Sequence, residues 1–223
     1  MTFNYEKIKD PDFFRENRLA PRSDHKYYRS EAEAMTGESS FLHSLGGLWK
    51  FCYAKNYALA PKGFEQPDFD CKRWDDITVP GHIQLQGYDI PQYVNVQYPW
   101  DGHDEIEPEE IPEEFNPVAN YVKYFNLPDG WQGEGLYISF QGVESGFALW
   151  LNGHYVGYGH DGYLPSEFEL TPYLKDGENK LAVQVFKFTA GSWIEDQDFF
   201  RFSGIFRDVF LFTVPKIHIR DLK

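Results

Sequence analysis

The chain has 223 residues, a formal charge of −14 and a pI near 4.9. A field of that sign repels phosphate backbones and anionic lipid surfaces, which excludes nucleic-acid and membrane-surface binding, and no apolar run approaches the roughly 20 residues that span a bilayer. Aromatic residues make up 18% of the chain, mostly Phe and Tyr, and these favour the half-buried surfaces of strands.

Residues 1–45 read as a polar, proline-broken arm laid over other structure, with only a weak helical patch in ENRLAPRSDHKYYRSEAEAM (16–35). The start lacks the long apolar core of a secretory signal, so a cytoplasmic location is expected. From GGLWKFCYA (46–54) onward, short apolar stretches recur between turn signals: ITVP (77–80), NYVKYFNLP (120–128), GLYISFQGV (135–143), GFALWLNGHYVGYG (146–159), NKLAVQVFKF (179–188) and GIFRDVFLFTVP (204–215). Many short strands at this spacing predict an all-β sandwich or barrel. Within FALWLNGHYVGY, Asn152-Gly153 marks a type I′ hairpin, because both positions tolerate positive φ. PSEFELTPYL holds at most one short helical turn. DGHDEIEPEEIPEEF (101–115) carries eight carboxylates and two prolines and reads as a solvated loop. In TVPKIHIRDLK the alternation of Ile217 and Ile219 stops as it begins, which predicts a strand belonging to a further domain.

The chemistry concentrates in WIEDQDFFRFSGIFRDV (193–209), where Glu195, Asp196 and Asp198 precede a run of phenylalanines. Glycoside hydrolysis needs two carboxyl groups facing each other across one bond, and neighbours in one loop rarely do so. No nucleophile elbow, His-x-x-x-His zinc pair or phosphate-binding glycine loop is present. Cys52 and Cys71 give neither a disulfide framework nor metal spacing and read as reduced thiols. Sugar binding fits better: GYDIPQYVNVQYPW (87–100) sets Asn95 among Tyr93, Tyr98 and Trp100, a polar acceptor beside apolar ring faces. Its aromatics read equally well as core. A monovalent cation beside a sugar would likewise want hard oxygen ligands such as Asp198, a point composition does not decide.

Three stretches, VPGHIQLQGYDIPQYVNVQYPW, FQGVESGFALWLNGHYVGYGHDGYLPSEFELTPYLKDGENKLAVQV and EDQDFFRFSGIFRDV, together resemble the amino-terminal domain of family 2 β-galactosidases. DPDFFRENRLAPRS and LGGLWKF match its opening. The resemblance implies a jelly-roll β-sandwich, the sugar-binding domain, over residues 46–215, with 216–223 starting a truncated immunoglobulin-like second domain. It implies a parent enzyme that hydrolyses terminal β-D-galactosides such as lactose with retention. Its catalytic glutamates and magnesium ligands would lie on a (β/α)₈ barrel absent from this fragment. The family's Y-x-N-V-x-Y-P asparagine falls on Asn95, a substrate contact. The second aspartate of E-D-Q-D falls on Asp198, which contacts substrate and holds a sodium ion. Some relatives bind a peripheral magnesium where this chain has His160 and Ala190, which departs from that pattern.

Glu195, Asp196, Arg201 and Arg207 are expected to support the loop, with Arg207 and Asp208, or alternatively Arg201, pairing with its acids. The expected partners are the β-galactoside and the parent's barrel and immunoglobulin-like domains, within an oligomeric parent. A free-standing carbohydrate-binding module, or a structural and oligomerisation domain, are the competing readings. Family 2 β-glucuronidases and β-mannosidases share the fold; VNVQYP and EDQD together favour galactosidase.

Overall fold

Apolar side chains alternating along successive strands build two sheets and, less usually, bury both faces of the larger one. The computed structural model describes residues 2–102, 104–108, 110–131, 135–195 and 198–222. Its strands are β1 (Arg15–Glu16), β2 (Leu42–Ser44), β3 (Gly47–Ala54), β4 (Asp75–Val79), β5 (Gln92–Val94), β6 (Val118–Phe125), β7 (Leu136–Phe140), β8 (Val143–Glu144), β9 (Gly146–Leu151), β10 (His154–His160), β11 (Ser166–Glu169), β12 (Asn179–Phe186), β13 (Phe199–Arg201), β14 (Gly204–Ile205) and β15 (Val209–Thr213). One seven-stranded sheet runs β1-β10-β9-β12-β6-β3-β4 and a four-stranded sheet runs β11-β7-β15-β2; β13 pairs with β5 and β14 with β8. All these pairings are antiparallel. This is the all-β sandwich that the strand pattern predicts, with the jelly-roll form that the family resemblance implies.

The core between the sheets collects Phe147, Leu149 and Leu151 from β9, Leu181, Val183 and Val185 from β12, and Phe140, Phe168 and Leu211 from the opposing sheet. The intervening residues of the same strands, Ala148, Trp150, Ala182 and Phe186, face the other way. There they meet a second apolar layer with Ile8 and Phe64, against which Phe3, Tyr5 and Phe13 of the arm pack. The arm also adds β1 to the edge of the large sheet, Glu16 opposite Tyr158. The large sheet therefore has no solvated face along its centre, and every residue of β12 is buried.

The hairpin between β9 and β10 turns at Asn152 and Gly153, with φ of 53° and 85°, the two positive values a type I′ turn requires. The structure sharpens three expectations. The weak helical patch condenses into one short helix, α1 (Glu31–Thr36), capped by the Ser30 hydroxyl. PSEFELTPYL contributes a strand, β11, because Phe168 is drawn into the core and residues 166–169 pair with β7; only Thr171–Tyr173 forms a 3₁₀ turn. The stretch 204–215 is two strands, broken after Ile205, so that β14 serves β8 while β15 lies between β7 and β2. Residues 214–222 form no strand. Instead the segment is tied to the arm, Tyr27 donating to the Ile219 carbonyl at 2.7 Å and the Ser23 amide to Asp221 at 2.8 Å.

Candidate functional site

Residues 92–94 and 199–201 form a two-stranded ribbon in register, with Phe199 opposite Val94, Phe200 opposite Tyr93 and Arg201 opposite Gln92. One step beyond its end lie Asn95 and Asp198, 103 positions apart in the sequence, joined by the Asp198 amide donating to the Asn95 carbonyl at 3.2 Å. Both residues are exposed. Asp198 has a φ of 55°, a left-handed conformation that Asp adopts more readily than most residues. The Tyr93 hydroxyl donates to the Asp198 carboxylate, and this bond, with a smaller contribution from burial, raises the phenol's pKa. Asn95 accepts the Val96 amide through its own side-chain oxygen at 2.8 Å. The ribbon thus presents one carboxylate and one amide beside the half-exposed rings of Tyr93 and Phe200, whose centroids are 5.3 Å apart.

Aromatic contacts continue from this point into the domain. Phe200 stacks on Phe202 at 5.7 Å, Phe202 meets His82 at 4.7 Å, His82 stacks on Phe206 at 4.9 Å, and Phe206 abuts Tyr163 at 5.7 Å. Tyr163 donates to buried Glu144 at 2.7 Å, and Glu144 lies 3.6 Å from His82 Nδ1. Burial, reinforced by the charge of Glu195, pushes the Glu144 carboxyl up to about 7 against the pull of Tyr163, Arg201 and Arg207. Burial lowers the pKa of His82. A cavity of about 450 Å³ opens beside these groups, lined by Glu144, His160, Tyr163, Glu195 and Phe199 among others. Neither Glu144, Tyr163 nor His82 is marked by a motif. Their role emerges only because β8, β10 and β14 converge here.

The supporting residues divide. Glu195 faces inward, accepting from buried Arg201 at 3.0 Å and lying 3.5 Å from His160 Nε2. Asp196 lies outside the described residues. Arg207 makes no bond to Glu195 or Asp198 among the described residues. It donates to the Tyr163 carbonyl at 3.0 Å and lies over the Phe206 ring, because the chain breaks between β14 and β15 and turns the guanidinium toward the 160s turn. Asp208 likewise serves through its carbonyl, accepting the Gln141 amide at 3.0 Å. His160 is engaged by Thr189 Oγ1 at 3.2 Å and by Glu195, and Ala190 offers no side-chain ligand. The residues at these two places do not fit a magnesium site. Among the described residues no three His, Cys, Asp or Glu side chains cluster as metal ligands, and both cysteines are free. Asp198 can supply one hard oxygen to a cation.

A jelly-roll sandwich that sets an amide and a carboxylate beside exposed rings has the chemistry of a carbohydrate-contacting domain. Sugars offer hydroxyls to the former and apolar ring faces to the latter. The family model described as glycosyl hydrolases family 2, sugar binding domain, matches residues 42–215, and the chain belongs to that family. It is 57% identical over 220 residues to a β-galactosidase of Halalkalibacterium halodurans, covering 98% of this chain and 22% of that protein. It is 47% identical over 234 residues to a β-galactosidase large subunit of Leuconostoc lactis, covering 100% of this chain and 37% of the subunit. The chain thus spans between about a fifth and somewhat over a third of the length of such relatives. A crystal structure of Bacteroides uniformis β-glucuronidase shares the fold, with a TM-score of 0.59 at 23% identity over 78% of this chain and 18% of that one. No helix among the described residues is long and apolar enough to cross a membrane.

Proposed function

We propose that this chain is the sugar-binding portion of a cytoplasmic β-galactosidase that hydrolyses terminal β-D-galactosides such as lactose with retention. The observation that carries the reading is the ribbon in which Asn95 and Asp198 become neighbours beside Tyr93. In this reading Asn95 contacts the galactosyl group. Asp198 accepts hydrogen bonds from its hydroxyls and supplies a hard oxygen to a sodium ion near the 6-hydroxyl. Retention requires two carboxyl groups about 5–5.5 Å apart across the glycosidic bond. Glu195, committed to Arg201 and His160, is not placed for that task. The acid/base and nucleophile glutamates, with the catalytic magnesium, belong to a barrel domain that packs over the exposed Tyr93, Val96 and Phe200 edge. An immunoglobulin-like domain follows residue 215, and the assembled enzyme is oligomeric.

The test is incubation of the purified chain with a chromogenic β-galactoside. No turnover is expected; clear hydrolysis lost in Asp198→Asn would overturn the division of labour. Calorimetry separates the module reading, since a dissociation constant below about 1 mM for galactose or lactose would mean that the Asn95–Asp198 edge is complete by itself.

A further inference from the structure

A second cavity, of about 470 Å³, shares none of its lining with Asn95, Tyr93 or Asp198. Buried Trp100 and Phe188 and half-buried Phe115 form its apolar wall, and Lys55, Gln92, Asp104 and Glu114 contribute polar groups. Its volume falls within the roughly 300–1,000 Å³ range of small-molecule pockets. The wall is fixed in place. Trp100 stacks on Tyr98 with ring planes 3° apart and meets Trp193 at 4.8 Å and Phe188 at 5.8 Å. Behind it, the Lys187 ammonium lies 5.5 Å from the Phe188 ring and 5.9 Å from Phe115.

Among the described residues the side-chain polar groups around this wall are largely uncommitted to other protein groups. Gln92 is oriented by its Nε2 donating to the Pro99 carbonyl at 2.6 Å, which leaves Oε1 without a donor among the described residues. The Lys55 ammonium and the Asp104 and Glu114 carboxylates likewise make no hydrogen bond or ion pair there, although all line one cavity. Donors and acceptors converging unpartnered around fixed aromatic rings define the ligand by exclusion. An anion meets two carboxylates and a strongly acidic chain. A wholly apolar ligand would desolvate Gln92 and Lys55 without replacing their water. A neutral polyhydroxylated ring satisfies both the hydroxyl-binding groups and the apolar wall.

We propose that this cavity is a carbohydrate site that takes a neutral pyranoside, independently of the Asn95–Asp198 edge. The test follows the indole ¹⁵N–H resonance of Trp100 in the intact chain during titration with lactose, methyl β-glucopyranoside and glucuronate. Saturable shifts are expected for the two neutral sugars, with dissociation constants of about 1–20 mM, and none for glucuronate. Lys55→Ala and Glu114→Ala, both at exposed positions, should each weaken binding severalfold while leaving the rest of the spectrum unchanged. Asn95→Ala should leave the affinity as it is. No shift at about 100 mM sugar, equal binding of glucuronate, or a shift indifferent to the Lys55 and Glu114 variants would overturn the proposal. So would a shift abolished by Asn95→Ala. None of these readouts requires hydrolysis, so the proposal stands or falls apart from the galactosidase reading.

Discussion

The ribbon that carries Asn95 and Asp198 is anchored by a buried ion pair, and removing one member of that pair should be among the most damaging single changes in the domain. Lys187 Nζ donates to Asp89 Oδ2 at 2.6 Å, with both side chains 1% exposed. Asp89 accepts one further bond at the same oxygen, from Gln84 Nε2 at 2.8 Å. Lys187→Met leaves the carboxylate buried with a neutral amide as its remaining donor. Breaking a buried pair in this way costs about 3–5 kcal/mol. At roughly 2–4 °C per kcal/mol for a domain of this size, the melting temperature should fall by roughly 6–20 °C. Asp89→Leu alone should cost a similar amount, since it strands the ammonium that burial already disfavours. The double variant Lys187→Met with Asp89→Leu removes both charges and should recover to within about 1–2 kcal/mol of the parent sequence. Urea denaturation followed by tryptophan fluorescence closes the cycle. If either single variant lost less than about 1 kcal/mol, or if the double lost the sum of both, the pair would not be acting as a compensated buried charge.

Three further outcomes follow from the same geometry. Glu144 has a folded pKa of about 7 against an ordinary value of 4.5, so folding favours its protonated form. Its stabilising effect is complete below pH 4.5 and lost as pH rises through 7, a decline of up to about 3 kcal/mol. Glu144→Gln should flatten the change between pH 5 and 8 (about that interval), and because His82 titrates in the opposite sense, the difference between the two proteins is the quantity to measure by denaturation. Tyr93→Phe should leave the melting temperature unchanged but free the Asp198 carboxylate, seen as a shift of the Asp198 side-chain carbon resonance; an unmoved resonance would remove Tyr93 from the site. Gly157→Ala would bring a methyl group to 2.4 Å from the Glu16 carbonyl, so β1 should detach and proteolysis near residue 15 accelerate, at a cost of about 1–3 kcal/mol. Unchanged protection of the arm would mean that β1 contributes nothing to the edge.

The strands β3, β6, β9, β10 and β12 were legible because their apolar residues alternate between turn signals whose backbone needs are local, as at Asn152-Gly153. The β11 strand was not, since two acids and a serine surround Phe168 and only the core contact decides its state. The aromatic stretch around Asn95 and the acidic stretch around Asp198 were legible separately, through their residue types and their resemblance to a family. Their juxtaposition was not, because a three-residue pairing between segments a hundred positions apart leaves no periodic trace. For the same reason Arg201 and Arg207 could not be told apart in the sequence. Both precede or follow aromatic residues in one short stretch, and only the break after Ile205 sends one guanidinium to Glu195 and the other to Tyr163.

Contacts at its base explain how so short a ribbon can hold a defined shape. Three ladder pairs give little stability by themselves, since an isolated two-stranded ribbon is marginal in water. Here both limbs are fastened to the sandwich near their bases. On one side Asp89 is locked to Lys187 at the end of β12. On the other, the Ser203 amide donates to Gln84 Oε1 at 3.0 Å, and Gln84 in turn bonds Asp89. The Ile83 amide adds a bond to the Ser203 carbonyl at 3.0 Å. The ion pair, the glutamine and the serine therefore form one buried knot that receives the chain entering β5 and the chain leaving β13. The exposed tip needs no core of its own. It can hold a left-handed aspartate beside an asparagine while the orienting forces act at the ribbon's buried base, within the sandwich.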